Sequence, residues 1–187
     1  MSITQYQSDS AQLPRVVVCY LSENAPLQQT YSNIEYTKCK DVDNFNDVLN
    51  SGLDNEVYVF LSAHDDFWNE ECVARVIDKR NKCPNACMLY TDNVTIKNNI
   101  QFIQYFPTFS YEHTQIPDLI INTPLFICKD TGARFNTDLQ FLFLYEMFHQ
   151  IRQKGLVVHI PSILTKTTQP HDISYEQDFA LLNEQPV

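Results

Sequence analysis

The chain has 187 residues, 44% of them hydrophobic with 12 Phe and 10 Tyr, so it can bury a real core and is not a disordered polymer. Its 13 basic and 23 acidic residues leave a net charge of −10, which argues against a broad nucleic-acid surface and fits a cation-binding cleft. With 3 Gly and neither GxGxxG nor GxxxxGK[ST], a glycine-rich phosphate loop is excluded, and no stretch approaches the ~20 continuous apolar residues that span a membrane.

Residues 1–14 read as a polar, flexible tail without a signal-peptide pattern. Arg15 to Leu21, RVVVCYL, is an unbroken apolar run and predicts a first core strand. A polar loop with Pro26 leads to a second candidate strand, Ile34 to Cys39. Phe45, Val48, Leu49 and Leu53 then share one helical face over Asp43 to Leu53, with Gly52 suited to its end.

The run Val57-Tyr58-Val59-Phe60-Leu61 has the length and the β-branched and aromatic content of a buried strand. It stops at Ser62-Ala63-His64-Asp65-Asp66, which delivers two carboxylates and an imidazole to the carboxyl end of a core strand, the edge where open α/β sheets bind ligands. Asn69 to Lys82 spaces Cys72, Val73, Val76 and Ile77 for a helix. Ala86 to Tyr90 predicts a short strand, with Asp92 just past its end. Ile100 to His113 is aromatic and irregular and reads as strand and loop, its rings as core.

Leu119-Ile120-Ile121 and Leu125-Phe126-Ile127-Cys128 are two further apolar runs. Asp138 to Lys154 is the longest helical pattern and ends at Gly155, and Leu156 to Ile160 is a strand stopped by Pro161. His171-Asp172 stands in a turn-like context, and residues 176–187 read as a C-terminal tail. Six cysteines carry no zinc-site spacing, which predicts reduced thiols and a cytoplasmic compartment. Strands alternating with helices predict an α/β domain over residues 15–175, with a mixed, mostly parallel sheet flanked by helices.

The order of segments resembles the family 2 glycosyltransferases of GT-A fold. The residues that carry the likeness are Asn50-Ser51-Gly52, the strand from Val57 into His64-Asp65-Asp66-Phe67-Trp68, then Leu89-Tyr90-Thr91-Asp92, Gly132 to Asn136, Lys154-Gly155, Ile160-Pro161, and His171 before Ser174. The resemblance implies a single GT-A-like domain that moves a sugar from a nucleotide-sugar donor to an acceptor hydroxyl. It implies a divalent cation, Mn or Mg, that clamps the donor diphosphate and neutralises the leaving group. By the same carry-over His64, Asp65, Asp66 and His171 would hold that metal. Tyr20, Ser22, Asp41, Asn50 and Arg134 would contact the donor.

The acidic pair that the family carries on the long helix is replaced here by Phe143 and Leu144, which leaves Glu146 first and Asp138 second as the base. Simpler roles stand beside these. Asp65-Asp66 would cap the following helix, Asp138 would favour a helix dipole, and His149 and His159 would be structural. Two other functions stay open. One is a GT-A-like binding or assembly module without catalysis. The other is a transferase acting on modified nucleic-acid bases, if Lys97, Lys129, Arg134 and Lys166 cluster.

Overall fold

In the computed structural model the described residues are 13–51, 56–106, 124–128, 130–140, 142–168 and 176–184. Their elements are β1 (Arg15–Tyr20), β2 (Ile34–Lys38), α1 (Val42–Ser51), β3 (Glu56–Leu61), β4 (Asp65–Phe67), α2 (Cys72–Lys82), β5 (Ala86–Lys97), β6 (Ile100–Gln104), β7 (Leu125–Ile127), α3 (Phe143–Lys154), β8 (Leu156–Thr168) and α4 (Glu176–Glu184). One sheet runs β2-β1-β3-β7-β5-β8-β4, with β6 added on β5. β1 is parallel to β2 and β3, and β5 to β8, whereas β7 is antiparallel to both β3 and β5. The carboxyl ends of β1, β2, β3, β5 and β8 therefore point the same way.

The apolar runs become central strands because both faces are covered. Val17, Cys19, Tyr58 and Phe60 meet Phe45 and Leu49 of α1 and Phe143, Met147, Phe148 and Ile151 of α3 in one core layer. Val16, Val18, Val57, Val59 and Leu61 meet Cys72, Val73, Val76 and Ile77 of α2 in the other. A ring such as Phe60, fully buried, contributes about 1.5–3 kcal/mol by leaving water. The fold is thus a mixed, mostly parallel α/β sheet between helices, as the alternation of patterns predicts.

Several boundaries differ from the sequence reading. β5 does not stop at Tyr90: it runs to Lys97 because it gains β6 on one side and β8 on the other, so Asp92 lies within a strand and not past its end. β8 does not stop at Pro161 either. The register steps from Thr91↔Ile160 to Asp92↔Ile163, and the proline, lacking an N–H, sits in that irregularity. Asp65 and Asp66 do not lie in a loop but in the short β4, paired with Lys166 and Thr167 of β8.

α3 starts at Phe143, not Asp138, because residues 137–138 form a turn, in which Asn136 accepts the Asp138 amide on its side chain at 3.1 Å and the Leu139 amide on its carbonyl at 3.4 Å. Asn46 of α1 donates to the Phe135 carbonyl at 2.9 Å and accepts from the Phe135 amide at 2.8 Å. Residues 176–184, within the expected tail, are the helix α4. Its Asp178 is 2% exposed and accepts the amides of Gln140 (3.0 Å) and Leu142 (2.7 Å) at the start of α3. Of the aromatic segment read as core, Phe106 is buried, while Phe102 and Tyr105 are 50% and 69% exposed. Leu119 to Ile121 fall outside the described residues. No described helix is long and apolar enough to cross a membrane.

Candidate functional site

The parallel strands β1, β2 and β3 end together, and the turns that follow them form the edge on which the candidate residues gather. Tyr20 ends β1, and its carbonyl accepts the Cys39 amide at 2.9 Å, which ties the turns after β1 and β2 to each other. Ser22 follows, its hydroxyl accepting from the Asn24 amide at 3.3 Å. Asp41 accepts the Asn44 amide at 3.2 Å, the bond of an N-cap at the start of α1. α1 descends from there, and its ten residues carry the chain about 15 Å toward the amino ends of the strands.

The chain leaves β3 through Ser62-Ala63-His64 and enters β4. His64 is exposed at its side chain, and its carbonyl accepts the Thr168 amide at 2.8 Å. Asp65 is 5% exposed. One of its oxygens accepts the Ser62 amide (2.9 Å) and the other the Thr167 hydroxyl (2.6 Å). Burial pushes its carboxyl above the ordinary carboxylate range, against the lowering effect of these hydrogen bonds. Asp66 has different partners. Its Oδ1 accepts the amides of Leu27 (2.8 Å) and Phe67 (2.7 Å), and its Oδ2 lies 3.2 Å from Lys166 Nζ.

Neighbouring positions on a strand present opposite faces, and the two carboxylates accordingly do not share a set of partners. Neither caps α2. The Val73 amide near the start of that helix is met at 3.0 Å by Gln29 Oε1, and Glu71 at its N-cap makes no side-chain cap bond. Gln29 also donates to the Asn69 carbonyl at 3.0 Å, so the loop between β1 and β2 is stitched to α2 and, through Leu27, to Asp66.

The remaining candidates lie elsewhere. Asn50, in the last turn of α1, accepts from Arg134 Nε at 2.8 Å. Arg134 also pairs with Asp130 at 3.1 Å and thereby holds the Asp130 carboxyl below its usual range. This contact sits at the far end of α1, away from Tyr20, Ser22 and Asp41. Glu146 faces the same seam between α1 and α3. The Gln150 side-chain amide donates to both its oxygens, at 2.6 and 2.7 Å, and to the Arg134 carbonyl at 2.8 Å. Burial raises the Glu146 carboxyl, opposed by that hydrogen bond. Asp138 is exposed just ahead of α3. Phe143 and Leu144 in the first turn of α3 are buried in the core.

His171 and Lys129 fall outside the described residues. Lys166 at β4 and Arg134 at the opposite end of α1 pair with separate acids, so these two of the four proposed basic residues do not form one patch.

The sequence reading missed two polar features of this region. Thr91, Asn93 and Thr95 alternate along β5, and Thr165 and Thr167 along β8, and all five are buried. They pair across the strands: Thr91 with Thr165 at 3.0 Å, and Asn93 with Thr167 at 3.1 Å, which leads on to Asp65. The period-2 run of small polar residues was the available signal. On the other face, His159 Nε2 lies 2.9 Å from Asp92 Oδ1, which also accepts the Phe106 amide at 2.9 Å, and the imidazole stacks on Tyr90.

No protein-family model and no curated protein matches this chain. Among solved structures it is similar to residues 1–349 of S. aureus TarS, a glycosyltransferase, with a TM-score of 0.57 at 10% identity. The likeness covers 82% of this chain, which spans 60% of that structure. At this identity it shows a glycosyltransferase-like fold and nothing finer.

Proposed function

We propose that the chain is a glycosyltransferase that takes a nucleotide-sugar donor at the carboxyl edge of β1, β2 and β3. The observation that carries this reading is the shared edge of three parallel strands, with Tyr20, Ser22, Asp41 and the exposed His64 on its turns, in a glycosyltransferase-like fold. The nucleoside would lie against the turns after β1 and β2. The diphosphate would lie toward the turn at Ser62 to His64. For the acceptor, Asp138 is the better-placed base: it is exposed at the entry to α3, whereas Glu146 is turned into a seam and bonded to Gln150.

The residues as placed do not fit a two-carboxylate clamp on Mn or Mg. Both oxygens of Asp65 accept hydrogen bonds inside the sheet, and Asp66 is divided between backbone amides and Lys166. Among the described residues no three His, Cys, Asp or Glu side chains converge for a metal. No step of the proposed reaction is routed through a metal.

The experiment is calorimetric titration with uridine, guanosine, cytidine and thymidine diphosphate-sugars, with and without Mn²⁺, followed by a donor-hydrolysis assay. Binding of at least one donor, with turnover lowered at least tenfold in Asp138→Asn and unchanged in Glu146→Gln, supports the reading. Absence of binding to every donor overturns it. A second reading, a GT-A-like module that binds without catalysis, is favoured by the buried Phe143 and Leu144 where the resemblance calls for acids. Donor binding with no turnover in the parent chain selects it.

A further inference from the structure

Three strands of the sheet have an outer side that no described strand pairs, and two of them are guarded. β2 at one end carries Glu35 and Lys38, and β4 at the other is three residues long and carries Asp65 and Asp66. Charge and short length are the usual guards of an open edge, whose unpaired amides and carbonyls invite a further strand. β6 has neither. It adds to β5 off the main order of the sheet, and among the described residues β5 is the strand it pairs with. It runs in register from Lys97↔Ile100 to Asn93↔Gln104 without a bulge, it holds no proline, and residues 98–106 carry no charged side chain.

Both faces of β6 are turned to water. Ile100 and Phe102 on one face are 57% and 50% exposed, and Ile103 and Tyr105 on the other are 53% and 69% exposed. A two-residue turn fixes the strand in place. Asn98 and Asn99 have φ of 53° and 61°, the left-handed pair that closes a tight hairpin and that asparagine tolerates. Lys97 and Ile100 flank this turn and exchange its closing hydrogen bonds. Every second pair does the same, so Ile100, Phe102 and Gln104 direct their backbone groups to β5. The amides and carbonyls of Gln101 and Ile103 face the open side.

We propose that this edge is a homodimer interface, in which two copies of the chain pair their β6 strands antiparallel about a two-fold axis at Phe102. That axis pairs all five residues of the strand. It sets Gln101 against Ile103 of the partner subunit, so that each outward amide meets an outward carbonyl. It sets Phe102 against Phe102 of the partner subunit, an aromatic cross-strand pair. The contact uses the same patch on both copies and closes at two.

Charge favours a second copy at this place. Each chain carries −10, and two such chains approach with least repulsion where neither presents a charge. Area sets the strength. With a fully covered ring worth about 150–250 Å², four side chains at these exposures bury on the order of 1,000 Å² in total over both copies. That is the lower end for a specific contact, so the dimer forms and dissociates reversibly. Donor binding plays no part in it, and its test stands apart from the donor assays.

The full chain is followed by sedimentation equilibrium from about 1 to about 200 µM, with amide hydrogen exchange measured at both ends of that range. A monomer–dimer equilibrium is expected. The Gln101 and Ile103 amides should exchange about tenfold more slowly at the high concentration, while the outer edge of β2 is unchanged. Phe102→Lys and Ile103→Lys give β6 the guard that β2 has and should weaken the dimer by about tenfold or more, with urea midpoints close to the parent's. If either variant does not fold, exchange in the parent chain carries the test. A chain that stays monomeric to about 200 µM, assembly that continues past two copies, slowing confined to another segment, or a dimer equally tight in both lysine variants would overturn the assignment.

Discussion

Two acids singled out in the sequence end in environments that share one property and differ in another. Asp65 is buried and Glu146 half-buried, and burial raises the carboxyl of each. Asp65 belongs to a ladder of fixed donors, the Ser62 amide and the Thr167 hydroxyl, in the upper sheet where polar side chains pair across β5, β8 and β4. Glu146 depends on one flexible partner, Gln150, in a helix seam whose strength comes from rings. Phe45, Phe60 and Phe135 lie there with centroids 4.8–5.4 Å apart. A carboxylate held by a backbone amide and a buried hydroxyl is part of the framework, and one held by a single half-buried side chain is an attachment to it. That difference orders the expected effects of mutation.

The largest effect belongs to the rings. Phe135→Ala removes the centre of the seam and is expected to lower the free energy of unfolding by about 3–5 kcal/mol in urea titration. A loss under ~1 kcal/mol would mean that the segment before α3 is not packed there. Next comes the ladder. Asp65→Ala leaves the Ser62 amide and Thr167 hydroxyl without their acceptor, for an expected cost of about 1–3 kcal/mol. Thr167→Val should overlap with it, so the double variant loses less than the sum of the two.

The third prediction concerns pH. A carboxyl raised in the folded state contributes stability that is fully present below its unfolded pKa and is lost as pH rises through the folded value. The stability of the parent chain relative to Asp65→Asn is therefore expected to increase on acidification from neutral pH, read from urea midpoints. A flat difference would mean that burial does not raise the Asp65 carboxyl. The smallest effect is at the exposed end of the seam. Asp130, held down by Arg134, has the opposite sign: its contribution is present above its unfolded pKa and is lost as pH falls through the folded one. Asp130→Asn should cost under ~1 kcal/mol at neutral pH and nothing in acid. An unchanged cost in acid would contradict the ion pair.

The fold was largely legible because its signal is local. Four consecutive buried residues in β1 and six in β3 appear as unbroken apolar runs, and the faces of α1, α2 and α3 appear as helical spacing. The placement of the candidate residues was less legible because it depends on pairing at long range. Nothing near Asp65 announces that Thr167 will lie across from it, or that Leu27 will reach Asp66. Asn50 and Arg134 do meet, but at the end of α1 opposite the edge that the resemblance assigns them. Pro161 looked like a strand terminator because a proline lacks a ladder donor, and only the partner strand shows that an irregularity accommodates it.

The grip of Asp178 on the amides of Gln140 and Leu142 reaches beyond α4 itself. One carboxylate near the end of the sequence adds negative charge at the beginning of the longest described helix, ahead of Glu146 in its first turn. Shortening the chain ahead of Glu176, or fusing a bulky partner there, would act at a distance on the entrance where an acceptor is expected to dock.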